Sequence, residues 1–104
     1  MKTQYTKAKN SLYRAILALK TEDECRKFLR DLLTEPEIKE FSNRWQVAQM
    51  LDKKTPYEII SKVTGMSSTT IARTNKWLTS GMGGYKLVLK RMASINHHTP
   101  LLAV

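Results

Sequence analysis

The chain has 104 residues, 41% of them hydrophobic and 26% charged, which is enough for one domain with a modest core. Eighteen Lys and Arg residues against nine Asp and Glu give a net charge of +9, which favours polyanionic partners. The one cysteine excludes an internal disulfide, and no apolar run or leader pattern suggests a membrane or secreted protein, so a cytoplasmic location is expected.

The predicted elements are all helices. Residues 5–20 form the first, because Leu12, Ile16 and Leu19 lie on one stripe at helical spacing. Three later helices each begin at a Ser/Thr-x-x-Glu pattern, whose side chains accept hydrogen bonds from the free N–H groups of a helix start. These patterns are Thr21 to Glu24, Thr34 to Glu37 and Thr55 to Glu58. The apolar faces after the first two contain Phe28, Leu29, Leu32, Leu33, Ile38, Phe41, Trp45 and Ala48.

Residues 55–80 are predicted to contain a helix-turn-helix. Thr55 caps its first helix and Pro56 takes the first helical position, where its fixed φ is suitable. The apolar face of that helix consists of Ile59, Ile60 and Val63. Gly65 then supplies the left-handed backbone that a sharp turn out of a helix requires.

The second helix of this motif presents a polar, basic face. Ser67 or Ser68 caps it, and Ile71 and Leu78 lie on its inner side. Short hydroxyls at a helix N-terminus can reach base edges in a DNA groove, while nearby cations meet phosphates. The residues predicted to bind DNA on this basis are Lys53, Lys54, Lys62, Ser67, Ser68, Thr69, Thr70, Arg73 and Lys76.

A glycine-rich loop follows Leu78 and leads to a last helix over residues 85–94. Residues 95–104 have no apolar period and contain Pro100, so they are predicted to be a mobile tail. The expected fold is therefore all-α with about six helices, in one domain over residues 1–94. The helices predicted in its first half, residues 1–52, have more apolar surface than they can bury against each other within one chain. A symmetric homodimer is the economical solution, and a compact monomer is the alternative.

The charge lies mainly in the second half of the chain. Residues 1–52 hold ten basic and eight acidic residues, whereas residues 53–104 hold eight basic residues and one acid, Glu58. The half with the helix-turn-helix therefore carries most of the positive field, which favours nucleic acid. Charge alone leaves open an RNA-binding protein, or a helical module that docks on an acidic protein. No catalytic group, cofactor site or metal site is predicted.

Several short motifs occur in an order that resembles the Trp repressor family, especially its YerC/YecD-type branch. They are Leu-Leu-Thr-x-x-Glu from Leu32, Asn-Arg-Trp from Asn43, Thr-Gly-x-Ser from Thr64, Thr-Ile-x-Arg from Thr70 and Gly-Gly-Tyr-Lys-Leu-Val-Leu from Gly83. The resemblance implies an intertwined helical homodimer that binds operator DNA as a transcriptional regulator, associated with the bacterial nucleoid when bound. It also implies control by a small metabolite.

The resemblance extends to individual residues. It places the DNA-contacting face at Ser67, Ser68, Thr69, Thr70, Ala72 and Arg73. It also implies an effector pocket in which Arg44 and Arg73 hold an amino acid, with Leu33 and Thr34 lent by the other subunit. Two residues of that pocket depart from the pattern, because Thr74 replaces a glycine under the ligand ring and Trp77 replaces a serine. Both changes argue against free tryptophan and leave open another small ligand or none.

Overall fold

A computed structural model of the protein describes residues 2–98, and in that range the fold is all-α, as predicted. The described residues form six helices and no strand. The helices are α1 (Lys2–Leu17), α2 (Glu22–Leu32), α3 (Glu35–Asp52), α4 (Tyr57–Thr64), α5 (Ser68–Ser80) and α6 (Gly84–His98). None of these helices has the length and apolarity needed to cross a bilayer.

The first and last helices differ from their predicted bounds. Helix α1 begins and ends three residues earlier than expected, and the backbone N–H of Lys20 instead donates to Glu24 Oε1 at 2.8 Å as part of the α2 start. Helix α6 continues through residues 95–98, where a tail was predicted. The first residue that strongly disfavours helix is Pro100, so periodicity alone placed this end too early. The rest of the predicted tail, residues 99–104, lies outside the described residues.

Two of the three predicted capping boxes are present. Thr21 Oγ1 accepts from the backbone N–H of Glu24 at 3.1 Å and caps α2. At the start of α3 the exchange is reciprocal, with Thr34 N–H donating to Glu37 Oε1 at 2.9 Å and Glu37 N–H donating to Thr34 Oγ1 at 3.2 Å. The backbone N–H of Thr34, and then its hydroxyl, lower the pKa of Glu37 below its usual value. Hydrogen bonds to an ionised carboxylate favour the charged form.

Replacing Thr34 with alanine should raise the pKa of Glu37 part of the way back, because the hydroxyl is lost and the backbone N–H remains. Because the pKa of Glu37 is lower in the folded state than in the unfolded state, its carboxylate stabilises the fold at pH values above the unfolded-state pKa. This stabilisation is lost as the pH falls through the folded-state pKa. Carboxyl-resolved NMR titration of both proteins would measure the change. An unchanged Glu37 pKa in Thr34→Ala would contradict the role of the hydroxyl.

The third predicted box, at Thr55, is wrong. Helix α4 is capped by Pro56 without a side-chain hydrogen bond, and it begins at Tyr57. The backbone N–H of Thr55 instead donates to Met50 O at 3.0 Å, and that of Lys54 donates to Leu51 O at 2.9 Å. These two bonds form a Schellman motif that ends α3. Thr55 therefore belongs to the end of one helix and not to the start of the next.

The chain forms two compact units, divided between Lys39 and Glu40. Among the described side chains of the first unit none is buried, and apolar residues of α1 and α2 such as Ile16, Leu17 and Leu32 are exposed. The second unit contains the core, in which α5 contacts both α4 and α6. Its buried cluster consists of Val47, Leu51, Ile60, Ile71 and Leu78.

The helix-turn-helix has the predicted turn. Gly65 ends α4 in the left-handed conformation, with φ of 73°, and its N–H donates to Ser61 O at 2.8 Å. The predicted apolar face of α4 is narrower than expected, because Ile60 is buried while Ile59 and Val63 are exposed. The motif is thus anchored to the core through one side chain of α4 and several of α5.

Gly81 ends α5 where the chain passes close to its own backbone. A Cβ at this position would overlap the carbonyl oxygen of Trp77 and lie 3.1 Å from the carbonyl carbon. Gly81→Ala should therefore reduce the free energy of unfolding by about 1–3 kcal/mol, measured by urea denaturation. Gly84→Ala is the matched control, because no atom lies within 4 Å of a Cβ there. Equal stability of the two variants would contradict the crowding at Gly81.

Candidate nucleic-acid interface

Helix α5 has one buried side and one free side. Ile71, Thr74 and Leu78 are buried against the second unit. Most of the remaining surface of the helix is exposed, and it carries several of the residues predicted to bind DNA. These exposed residues are Ser68, Thr69, Ala72, Arg73 and Lys76. The helix is held by its apolar side, so its polar side can meet a partner without disturbing the core.

The four hydroxyls at the start of α5 divide into two kinds. Ser67 is the cap, and its Oγ accepts from the Thr70 N–H at 3.2 Å while lying 3.0 Å from Thr70 Oγ1. The predicted ambiguity between Ser67 and Ser68 is thus resolved in favour of Ser67. The side chains of Ser68 and Thr69 form no hydrogen bond within the described residues. Their hydroxyls are the ones available for base edges or phosphates.

The basic side chains of this surface have few acidic neighbours that could pair with them. Arg73 and Lys76 are exposed and form no ion pair with any described residue. Neither α5 nor α6 contains an acidic residue. The exposed side of α5 is therefore uniformly positive, and the free N–H groups at its N-terminus add to that potential.

The three predicted phosphate-binding lysines lie around α4. Lys53 and Lys54 are exposed in the turn between α3 and α4, and Lys62 is exposed near the end of α4. In a helix-turn-helix the first helix crosses the DNA backbone while the second enters the groove. That position suits phosphate contacts, which fix register and supply affinity without reading sequence.

A polar cavity of about 200 Å³ lies beside this surface. It brings together Arg44 of α3 with Arg73, Thr74 and Trp77 of α5, four of the six residues predicted for the effector pocket. Leu33 and Thr34 were assigned to the partner subunit's share of the pocket, so for them the assignment stays a prediction. The two arginines, against the one carboxylate of Glu40 that also lines the cavity, leave it net positive, which favours an anionic group.

The two departures from the family pattern have distinct consequences. Thr74 is only 4% exposed and donates its hydroxyl to Thr70 O at 3.0 Å, so that hydroxyl is already used inside the helix. Trp77 is 56% exposed and lines the cavity without filling it. A β-branched side chain and an indole therefore both line the cavity.

Three residues that line the cavity were absent from the predicted pocket: Glu40, Tyr85 and Thr70, of which Thr70 was predicted to bind DNA. Glu40 lies one turn before Arg44 on α3, with Oε1 3.4 Å from Arg44 Nε. Tyr85 of α6 completes the cavity, and its ring stacks on Trp45 with centroids 6.2 Å apart. The i, i+4 spacing of Glu40 and Arg44 was a usable signal, whereas nothing local connected Tyr85 to either arginine.

A larger apolar cleft of about 480 Å³ adjoins the polar cavity. The two share Trp77 and Tyr85, and the cleft adds Trp45, Met82 and Val88. Trp45, which the sequence places on the apolar face of α3, is only half-buried and lines this cleft. The described chain thus leaves a substantial apolar surface next to the polar cavity.

Comparison with known proteins identifies the family. The model of the Trp repressor protein family matches residues 7–93, which is most of the chain. This chain belongs to the Trp repressor family. The predicted family is thereby confirmed, and the match includes every helix that carries the proposed interface.

Individual relatives agree with this assignment. The chain is 37% identical over 83 residues to "Uncharacterized protein YerC" of Bacillus subtilis (strain 168), covering 80% of each protein, which confirms the predicted branch. A TrpR-like protein from Eubacterium eligens ATCC 27750 has 39% identity and a TM-score of 0.83, with 89% of this chain and 96% of that chain covered. A putative Trp repressor from Staphylococcus aureus has 36% identity and a TM-score of 0.80, with 89% and 95% covered.

Proposed function

We propose that this family member is a transcriptional regulator, acting as a repressor in the cytoplasm, that binds double-stranded DNA sequence-specifically. The observation that carries the proposal is the exposed surface of α5, where Thr69, Arg73 and Lys76 face away from the buried Ile71 and the exposed Ser68 stands at the helix N-terminus. Hydroxyls and a guanidinium can read base edges in a major groove, and a lysine can hold phosphate. The neighbouring lysines around α4 would fix the duplex in register.

A homodimer is part of this proposal. The described apolar residues of α1 and α2 are all at least partly exposed, which is an unfavourable surface for a lone chain in water. A second copy would bury that surface and place two reading helices on one duplex. Its symmetry should appear in the DNA site as a palindrome with half-sites about 34 Å apart, or a multiple of that distance.

The polar cavity is the proposed effector site. Arg44 and Arg73 would hold the carboxylate of a small metabolite such as an amino acid, and Arg73 would also contact DNA, so occupancy could alter binding. Free tryptophan is not the expected ligand, because Thr74 reduces the room beneath a flat ring and Trp77 cannot replace a hydroxyl.

Selection of bound sequences from a random duplex library, with and without a panel of amino acids, tests the proposal. We expect palindromic sites to be enriched, and a change in enrichment with one amino acid would identify the effector class. A single asymmetric half-site occupied by one chain would contradict the homodimer. Stronger competition by single-stranded or folded RNA than by duplex DNA would favour the RNA-binding alternative. If the protein is not retained on DNA at any salt concentration, a module that docks on another protein would be favoured.

A further inference from the structure

Lys54 adopts a backbone conformation that lysine rarely occupies. Within residues 2–98 it is the one non-glycine residue with positive φ, at 64°. It stands at the C′ position of α3, where its N–H and that of Thr55 close the Schellman motif on Leu51 and Met50. Glycine is the usual residue at this position, because a Cβ in the left-handed region is too close to the following carbonyl oxygen. Asparagine is the next, because its short polar side chain can hydrogen-bond locally.

Nothing inside the described chain explains a lysine there. The Lys54 side chain is exposed and forms no ion pair or hydrogen bond with any described residue, including the nearby Asp52. The Schellman bonds use backbone atoms only, so glycine would make them equally well. The side chain therefore adds strain to the fold without adding an intramolecular contact.

We propose that the left-handed Lys54 is a phosphate-contacting residue, and that its strain is kept because the contact needs an ammonium group at the turn before α4. This inference rests on the proposed DNA binding and deepens it, because it states that Lys54 lowers the stability of the fold and raises the affinity for DNA. Strained backbone positions occur preferentially where a functional group must be held in place. The turn precedes the helix that crosses the DNA backbone in this motif, which suits a contact with phosphate.

Three substitutions separate the charge from the strain. Lys54→Gly and Lys54→Asn both remove the charge; glycine also removes the strain, and asparagine adopts the left-handed conformation more readily than lysine, so each should raise the Tm, by about 2–5 °C. Each should also weaken binding to any duplex about five- to tenfold per bound subunit at 0.1 M salt, and flatten the slope of log K against log salt by about 0.9 per bound subunit, so that a dimer shows about twice that slope change. Lys54→Arg keeps both charge and strain, so its Tm and affinity should remain close to those of the unmodified protein.

Thermal unfolding at one fixed protein concentration would measure the Tm. Titration of a mixed-sequence 30-base-pair duplex, about three helical turns long, at several salt concentrations would measure the affinity and its salt dependence. Opposite signs of the stability and binding effects in Lys54→Gly and Lys54→Asn would support the inference. A raised Tm with unchanged DNA affinity would overturn it and leave the proposed function intact. An unchanged or lowered Tm in both variants would overturn it as well, because the strain would then be absent. If the unmodified protein retained no duplex at all, the proposed function would fail, and the inference with it.

Discussion

Replacing Arg73 with alanine is expected to weaken binding to a selected operator by about 5- to 150-fold for each half-site, the equivalent of the 1–3 kcal/mol that one bidentate base contact contributes. Arg73 is exposed on the free side of α5 and has no ion-pair partner among the described residues, so its guanidinium is available to a base or a phosphate. Titration of operator and mixed-sequence duplexes, side by side, would measure the loss of discrimination.

Arg73→Lys is the matched control for this experiment. It keeps the positive charge and loses the planar fork of five donors, so binding to mixed-sequence duplex should persist while preference for the operator falls. Because the side chain is exposed, neither variant should change the Tm appreciably. An unchanged footprint and affinity in Arg73→Ala would show that α5 is not the reading helix.

The second large effect is expected in the core of the helix-turn-helix. Ile60 is 0% exposed and belongs to the cluster that joins α3, α4 and α5. Ile60→Ala should reduce the free energy of unfolding by about 2–5 kcal/mol, since it removes buried methylene and methyl groups and leaves a cavity. Small domains have total stabilities of about 5–15 kcal/mol, so this loss is a large share. Urea denaturation at a fixed protein concentration would measure it.

The adjacent isoleucine provides the control. Ile59 is on the same helix but 48% exposed, so Ile59→Ala should cost about 1 kcal/mol or less. Similar losses in the two variants would mean that the exposed side of α4 is also covered, which would place it in an interface. A small loss at Ile60 would contradict its central place in the core.

Much of the fold was predictable because its signals are local. The capping residues Thr21, Thr34 and Ser67 each bond to a backbone N–H three residues later, and Gly65 takes the left-handed turn that its missing side chain permits. Such features depend on a few neighbouring residues, and a sequence displays them directly. The same is true of the exposed side of α5, whose residues recur at helical spacing.

The failures also have physical causes. Thr55 fits the capping pattern of α4, yet its N–H can also close the end of α3, and the closing turn of α3 takes it. The pattern of α4 gives Ile59 and Ile60 the same apolar character, and only packing against α5 decides that Ile60 is buried. Periodicity describes which side of a helix is apolar, but not how wide a strip its neighbour covers.

The sequence by itself determined an all-helical chain of six segments, its helix-turn-helix and the basic side of α5, because spacing, caps and charge are properties of consecutive residues. Only the tertiary structure decided that Glu40 and Tyr85 join Arg44 and Arg73 around one cavity, and that Lys54 closes a helix in a left-handed conformation. The cavity residues come from three helices separated by up to forty-five positions, so no local pattern could have brought them together. The backbone of Lys54 is set by how α3 ends against the start of α4, which is a property of the fold and not of the residue.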